Sequence, residues 1–362
     1  MRSLLIASLA LLAVPAAAGA QSDPLCQLLN NCPPPPPQPS PEPSPAPSPS
    51  PSPTPTPDGS TRPVDPQPTP GQPSQLVAIR KRKTKPIVGI SDQNPFTFSD
   101  PTFGALGLGY ARLITPWNSI RTRPAELDRW LRTARAVGIE PLVSFNHSET
   151  DKCPARPCKA PSLGAYTKAF KAFRKKYPWV KVISPWNEAN HQSQPLAKKP
   201  KLAARYYNVV RANCRGCKVV AADVLDSTNL AKWLKTFKRT AKKPRLWGLH
   251  NYTDTNRFRA TGTAAMVKLV KGEIWLTETG GVVSFTTADG RPALPYNEAR
   301  AARSIKYMFT LARRYPKRIK RLYIYQWRKN NSFDRFDAGI LGFDGKPRPS
   351  LAVLQKELSK TR

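Results

Sequence analysis

Two segments of this chain end in the same way. Val182-Ile183-Ser184-Pro185-Trp186-Asn187-Glu188 and Ile274-Trp275-Leu276-Thr277-Glu278-Thr279-Gly280 are each an apolar run that delivers a glutamate at its C-terminal end. Short apolar runs of this kind predict buried β-strands. In a parallel barrel all strands end on one face, so two such glutamates meet across a pocket although they are distant in sequence. Paired carboxylates do acid and nucleophile chemistry on glycosidic bonds.

Elements able to hold that pair follow from the pattern after about Ile79, where apolar runs alternate with longer amphipathic stretches, as in βαβ units around a parallel sheet. Eight strands are expected: Pro86–Ile90, Tyr110–Thr115, Pro141–Phe145, Lys181–Ser184, Lys218–Ala222, Leu246–His250, Glu273–Thr277 and Arg321–Gln326. Between them lie helical patterns such as 125–131, with Gly138 as a stop signal, and 296–314, ended near Pro316. Eight strands close a barrel, and residues 78–362 are the right length for one. The fold class expected is α/β, a (β/α)8 TIM barrel preceded by a disordered Pro-rich segment. A doubly wound open sheet is the main alternative, but the first strand runs into Ser91-Asp92-Gln93-Asn94 without a Gly-rich phosphate turn.

Barrel enzymes keep their chemistry just past the strand ends, and those positions are polar and aromatic here. Asn146 and His147 follow strand three; Asn187, Glu188, Asn190 and His191 follow strand four. His250, Asn251 and Tyr252 end strand six, Glu278 ends strand seven, and Trp327 and Arg328 end strand eight. Arg112 lies within strand two, with Trp117 beyond it. All 3 histidines of the chain stand at such places. A lone strand-end carboxylate is ordinarily a partner for a nearby lysine, but two of them on strands four and seven form a pair with a task. Asn187 can donate to a sugar hydroxyl, and Trp186 and Trp117 offer faces to a pyranose ring. Strand one has no His-x-His pair, so no catalytic metal and no cofactor is expected.

This pattern resembles the retaining (β/α)8 glycoside hydrolases of clan A, the superfamily of cellulase-, mannanase- and xylosidase-type barrels, over residues 85–362. Asn187-Glu188 matches the Asn-Glu pair that ends strand four, and Glu278 the glutamate that ends strand seven. Arg112, His147, His250 with Tyr252, and Trp327 match the Arg, His, His-x-Tyr and Trp that complete the family's site. The tail from Gly339, with Asp344-Gly345 and a proline before a last helix, is also similar. Ala189 stands where many members have proline. The resemblance implies a retaining O-glycosidase working by double displacement, with Glu188 as acid/base and Glu278 as nucleophile. Asn187, Arg112, His147, Trp117, His250, Tyr252 and Trp327 would bind the sugar, with the two tryptophans as floor and wall of a subsite. On this reading Glu188 should hold a proton, and Arg112 and Tyr252 should keep Glu278 ionised. The alternative is a non-catalytic cell-wall or polysaccharide-binding barrel, since the fold is widely reused.

Composition adds a setting. Residues 1–20 have a basic start, a Leu/Ala-rich stretch and an Ala18-Gly19-Ala20 ending, the form of a cleavable secretory signal. Residues 21–77 are a Pro/Ser/Thr-rich linker of extended polyproline II type. No later run suits a membrane span, so the expectation is a secreted, extracellular or wall-associated monomer. The 6 cysteines fall into near pairs, Cys26 with Cys32, Cys153 with Cys158 and Cys214 with Cys217, which predicts three small disulfide loops. The linker and signal hold few charges, and residues 78–362 carry 56 Lys and Arg against 19 Asp and Glu, a net +37. Such an excess predicts attraction to an anionic polymer, an acidic polysaccharide or cell-wall surface. It gives no specific nucleic-acid partner, because no recognition helix, zinc finger or aromatic RNA-binding motif accompanies it. Lys168, Lys171, Arg174 and Lys175 at helical spacing read more simply as a solvated helix face.

Overall fold

The computed structural model describes residues 85–360, apart from 288 and 330. The signal, the linker and the Cys26/Cys32 pair lie outside the described residues. Within them the chain runs β1 (Ile87–Ser91), α1 (Pro101–Ala105), β2 (Tyr110–Pro116), α2 (Ser119–Thr122), α3 (Pro124–Ala136), β3 (Glu140–Asn146), α4 (Leu163–Lys176), β4 (Val182–Ser184) and α5 (Pro200–Ala212). It continues with β5 (Lys218–Val219), β6 (Asp223–Leu225), α6 (Leu230–Lys238), β7 (Leu246–His250), α7 (Tyr252–Asn256), α8 (Thr261–Leu269) and β8 (Glu273–Thr279). After these come β9 (Ser284–Thr286), β10 (Pro292–Leu294), α9 (Glu298–Arg314), β11 (Ile319–Tyr325), β12 (Phe336–Asp337) and α10 (Pro349–Ser359).

The parallel sheet has the order β5-β4-β3-β2-β1-β11-β8-β7-β6. This is the expected ring, with one difference: the fifth stave is broken. Lys218–Val219 pairs with β4, while Asp223–Leu225 pairs with β7. Between them Val220 N–H donates to Ile183 and Ala221 N–H to Leu246, so the stave hands its hydrogen bonds from one neighbour to the other and closes the ring. The stave consequently runs past Ala222, the end predicted for it, and carries Asp223 into the bore.

Period-two alternation sorts each strand into two faces. Outward-facing Ile90, Leu113, Val143, Ile183, Ile274, Leu276, Leu322 and Ile324 pack against the helices in one continuous core. Inward-facing Leu142, Val182, Val220, Trp275 and Tyr323 fill the lower bore as a separate apolar plug. Two residues further along the same strands the inward positions turn polar: Leu142 gives way to Ser144, Val182 to Ser184, Trp275 to Thr277.

The helices are amphipathic and begin and end on local signals. Ser162 caps α4 by accepting from Ala165 N–H, and Asn297 caps α9 by accepting from Arg300 N–H; such caps contribute about 1 kcal/mol each. Gly138, at φ +75°, closes α3 as its position predicts. On α4 Lys168, Lys171 and Lys175 are exposed, as a solvated face requires. Arg174 differs: its guanidinium donates to the carbonyls of Tyr177, Pro178 and Val180.

Disulfides join Cys153 to Cys158 in the β3–α4 loop and Cys214 to Cys217 before β5. A small antiparallel sheet, β10-β9-β12, follows β8. It packs on Tyr252 and Tyr325 through Phe285 and Phe336, fastening the strand-seven end to the barrel. No helix among the described residues is long and apolar enough to cross a membrane.

Candidate active site

The C-terminal ends of the strands converge on Arg112, which is wholly buried. Its Nη1 donates to Glu278 Oε2 at 2.7 Å and to Ser91 Oγ at 3.1 Å. Its Nη2 donates to Asn187 Oδ1 at 2.6 Å and to Asp223 Oδ2 at 2.8 Å. A cation out of water is tolerable only with such partners.

Asp223 is the second hub. It accepts from Arg112, from Ser144 and Ser184 hydroxyls at 3.1 and 3.2 Å, and from Thr277. His250 Nε2 lies 3.0 Å from its other oxygen. The space for this carboxylate exists because position 248 is glycine: a Cβ there would strike Asp223 and Thr277. Burial pushes the Asp223 carboxyl up, but the Arg112 and His250 charges overcome it and hold the group far below the usual carboxylate range.

His250 also reaches up. Its Nδ1 is 3.0 Å from Glu188 Oε1 and 3.9 Å from Glu278 Oε2. Burial alone would lower its pKa, but Asp223 and Glu278 raise it to about 10, so the ring is a cation donating from both nitrogens. Tyr252 hydroxyl donates to Glu278 Oε1 at 2.9 Å, which leaves both Glu278 oxygens fixed. Burial and the neighbouring Glu278 charge keep this phenol protonated.

One carboxylate oxygen from each of Glu188 and Glu278 and one ring nitrogen of His250 all lie within 4.8 Å of one another. That trio could in principle accept a cation, but Arg112 and protonated His250 already neutralise the acids. The donor set fits a charge network better than a metal centre.

Two backbone irregularities aim the glutamates. Glu188 sits at φ 45°, a left-handed conformation unusual for a residue with a side chain and costing on the order of 1–2 kcal/mol. The turn is held by His191 N–H donating to Glu188 and Ala189 N–H to Asp223. In β8 the register slips by one residue against both neighbours: Gly248 and His250 oppose Trp275 and Glu278, while Leu322 and Ile324 oppose Leu276 and Thr279. By strict alternation Glu278 would face the helices with Ile274 and Leu276. The extra residue of this bulge turns it into the bore beside Thr277.

The electrostatic order of the pair differs from the sequence expectation. Burial pushes Glu188 up, but the His250 hydrogen bond and charge, aided by His191 and Arg112, bring it below its ordinary value. Glu278 ends above its own: burial and Glu188 outweigh His250, Arg112 and the Tyr252 bond. The reason is His250, which donates to Glu188 rather than standing free as a sugar ligand.

The other predicted residues divide. Asn187 is in the network; its Oδ1 is held by Arg112, which turns its amide N–H groups away from the guanidinium. His147 is half-buried and bonded through Nδ1 only to the carbonyl of Ser148. Trp117 packs against the core from the β2–α2 loop. Trp327 is 2% exposed, with its indole N–H on Asp100 and its edge against Phe103. That burial leaves no broad face for a sugar, which corrects the floor-and-wall expectation for this residue. Trp186 is likewise withdrawn, stacked on Tyr206 at 5.5 Å in the helix layer.

Asp223, Ser144, Ser184 and Thr277 are site residues that the strand-end reading passed over. Asp223 met the same criterion, an acid at a strand end, but the stave was expected to stop one residue earlier. Around the mouth, Gln93, Asn118, Asn146, His191, Asp226 and Asn251, at strand ends or in the loops that follow them, hold buried polar atoms without a partner among the described residues. Left unpaired, groups of this kind cost about 1–3 kcal/mol each, so water or a ligand is needed to satisfy them.

Comparison with known proteins agrees with this geometry. Residues 145–308 match the family model described as glycosyl hydrolase catalytic core. Similar solved structures include a family 39 glycoside hydrolase from the gut symbiont Bacteroides cellulosilyticus WH2, with 14% identity, a TM-score of 0.54, and coverage of 76% of this chain and 64% of that one. An endo-1,4-beta-xylanase from Caldicellulosiruptor owensensis has 14% identity and a TM-score of 0.54, covering 76% and 97%. A monomeric beta-xylosidase from Caulobacter crescentus CB15 has 13% identity and a TM-score of 0.52, covering 75% and 67%. The chain thus spans less than two thirds of the first of these, and at such identities the likeness is one of fold. Comparison with curated proteins gives no match. The chain thus resembles a glycosyl hydrolase catalytic core from the end of stave three through stave seven, and the barrel built around that stretch has the fold of the solved glycoside hydrolases.

Proposed function

We propose that the protein is a secreted retaining glycosidase that cleaves a β-linked poly- or oligosaccharide. The observation that carries this reading is the approach of the Glu188 and Glu278 oxygens to within 4.8 Å across the pocket. Carboxyl groups about 5–5.5 Å apart suit double displacement, whereas inversion needs about 6.5–9.5 Å to admit a water.

Glu278 is the nucleophile. Arg112 and Tyr252 hold one oxygen each, so it is oriented before the sugar arrives. It attacks the anomeric carbon as the glycosidic C–O bond breaks, and Glu188 gives a proton to the leaving oxygen. In the second step Glu188 takes a proton from water as that water displaces Glu278 from the sugar. Asn187 donates to the ring hydroxyl nearest the reacting carbon.

Arg112 and His250 balance Asp223 and one ionised glutamate, so a single proton shared by the pair makes the site neutral. In the free enzyme that proton favours Glu278. Sugar binding must therefore move it to Glu188, and loosening of the His250 contact is the step that permits this.

The xylanase and the xylosidase among the similar structures make β-1,4-xylan the first substrate to test. The signal-like start supports export, and the two disulfides fit an oxidising compartment. Glu278→Gln should lower turnover by at least about 10³-fold. NMR of the first-formed product should show the anomer of the substrate linkage. A variant that keeps more than about a tenth of the wild-type rate would remove Glu278 as nucleophile. Binding of glycan without release of reducing ends would favour the non-catalytic barrel.

A further inference from the structure

A second feature of the barrel mouth is a groove of about 790 Å³ between the N-terminal ends of α5 and α6. Lys198, Lys199, Lys201, Arg205 and Lys232 line it, and no acidic residue does. All five are exposed, and none forms an ion pair among the described residues. Some basic residues elsewhere are paired, Arg123 with Glu126 and Glu149, and Arg313 and Lys360 with Glu357; what sets the groove apart is that five unpaired cations face one concavity. Like charges gathered without a counter-charge repel one another, and the free energy is recovered only when an anion enters.

Two independent details point the same way. Trp233, also on the groove, is 4% exposed, and its indole N–H is buried without an acceptor among the described residues. Lys199 and Asn229, the N-cap residues of α5 and α6, make no side-chain cap. Both helices therefore turn the positive ends of their dipoles to the same place, with no side-chain cap on either.

The groove is joined to the catalytic loop. Asn229, on its wall, exchanges hydrogen bonds with Asn190, two residues beyond Glu188, and Asn190 is fastened in turn to the backbone of Leu225. A glycan spanning the glutamates has this groove on the flank of staves four and five.

We propose that the groove is a binding site for the anionic groups, carboxylate or sulfate, of an acidic polysaccharide. The proposal deepens the glycosidase reading and rests on it for the ligand being a glycan. The groove has no exposed aromatic face on which a nucleic-acid base could stack.

The test is titration calorimetry of the full chain with four probes: oligogalacturonate, a heparin hexasaccharide, neutral xylohexaose and a single-stranded DNA oligomer. The variant is Lys199→Glu/Lys201→Glu/Lys232→Glu; acidic residues suit a helix N-terminus, so the fold is not at risk. Its matched control is Arg211→Glu/Arg215→Glu/Lys243→Glu, an equal charge change on the basic groove around the Cys214–Cys217 loop at the barrel's other end. The expected result is at least about a tenfold loss of affinity for one or both acidic glycans in the first variant, under about twofold in the control, and no change for xylohexaose. Whichever acidic probe loses more identifies carboxylate or sulfate. Equal losses in the two variants, no preference of the wild type for acidic over neutral glycan, or tighter groove-dependent binding of DNA would each overturn the proposal. Groove-dependent binding by a wild type that releases no reducing ends would leave this site standing and remove the catalytic reading alone.

Discussion

The bore of this barrel has two storeys built by the same strands. The lower one, Leu142, Val182, Val220, Trp275 and Tyr323, is an apolar plug. The upper one, Ser144, Ser184, Thr277, Arg112, Asp223 and His250, is a charged network with almost no water-facing surface. Only two residues of strand separate them, so neither strand type nor burial decides which does chemistry. What differs is the kind of free energy involved: dispersion and apolar burial below, compensated charge above. The plug gives a rigid floor, and the network stands on it, placing Glu278 to a fraction of the distance that a loop would allow.

Arg112→Met should blur the contrast most, because it leaves Asp223 and Glu278 buried without their cation. Stability should fall by about 3–5 kcal/mol in a denaturant titration, and kcat by about 10³-fold, since the nucleophile loses its positioning bond as well. A variant of wild-type stability would mean that the upper storey is wetter than its contacts indicate.

Trp275→Ala cuts the lower storey instead. A loss of about 3–5 kcal/mol is expected from the cavity it leaves, read as a lowered Tm. The pH dependence of kcat/KM in the protein that remains folded should be unchanged, because the charged groups that Trp275 touches, Arg321 and Glu273, form no bond to the upper network. A displaced profile would show that the storeys are not separable.

His250→Asn should move rather than abolish. The cation lowers both glutamates, so its removal raises both, and the whole bell of kcat/KM against pH should shift to the alkaline side. Stability has its own signature. With its pKa raised to about 10, His250 contributes fully below about pH 6.5, and that contribution is lost as pH rises through 10. The wild type should weaken over that window and the variant should not; parallel stability curves would contradict a charged His250.

The ring of strands, the stop of α3 at Gly138 and the paired glutamates were legible because each rests on local pattern: apolar runs, and a glycine after a helical stretch. Seven of the eight staves start and stop close to where those runs predict. The fifth does not, because its bend comes from closing a ring, and no residue between Val220 and Ala222 announces it. Asp223 was lost with that boundary. Trp327 misled for a related reason: an indole beside a strand end looks the same in sequence whether it lines the mouth or is tied back to Asp100. The proton order of Glu188 and Glu278 depends on which acid His250 touches, a matter of ångströms that spacing does not encode.

The extra residue in β8 makes the enzyme a matter of counting. Pull the bulge flat with every residue kept and the ladder zips with every amide satisfied, yet Glu278, three positions on from the inward Trp275, swings outward into the shell of helices. A descendant with that flat strand would keep its glutamate, its barrel and its ability to hold a glycan, and would have become a lectin.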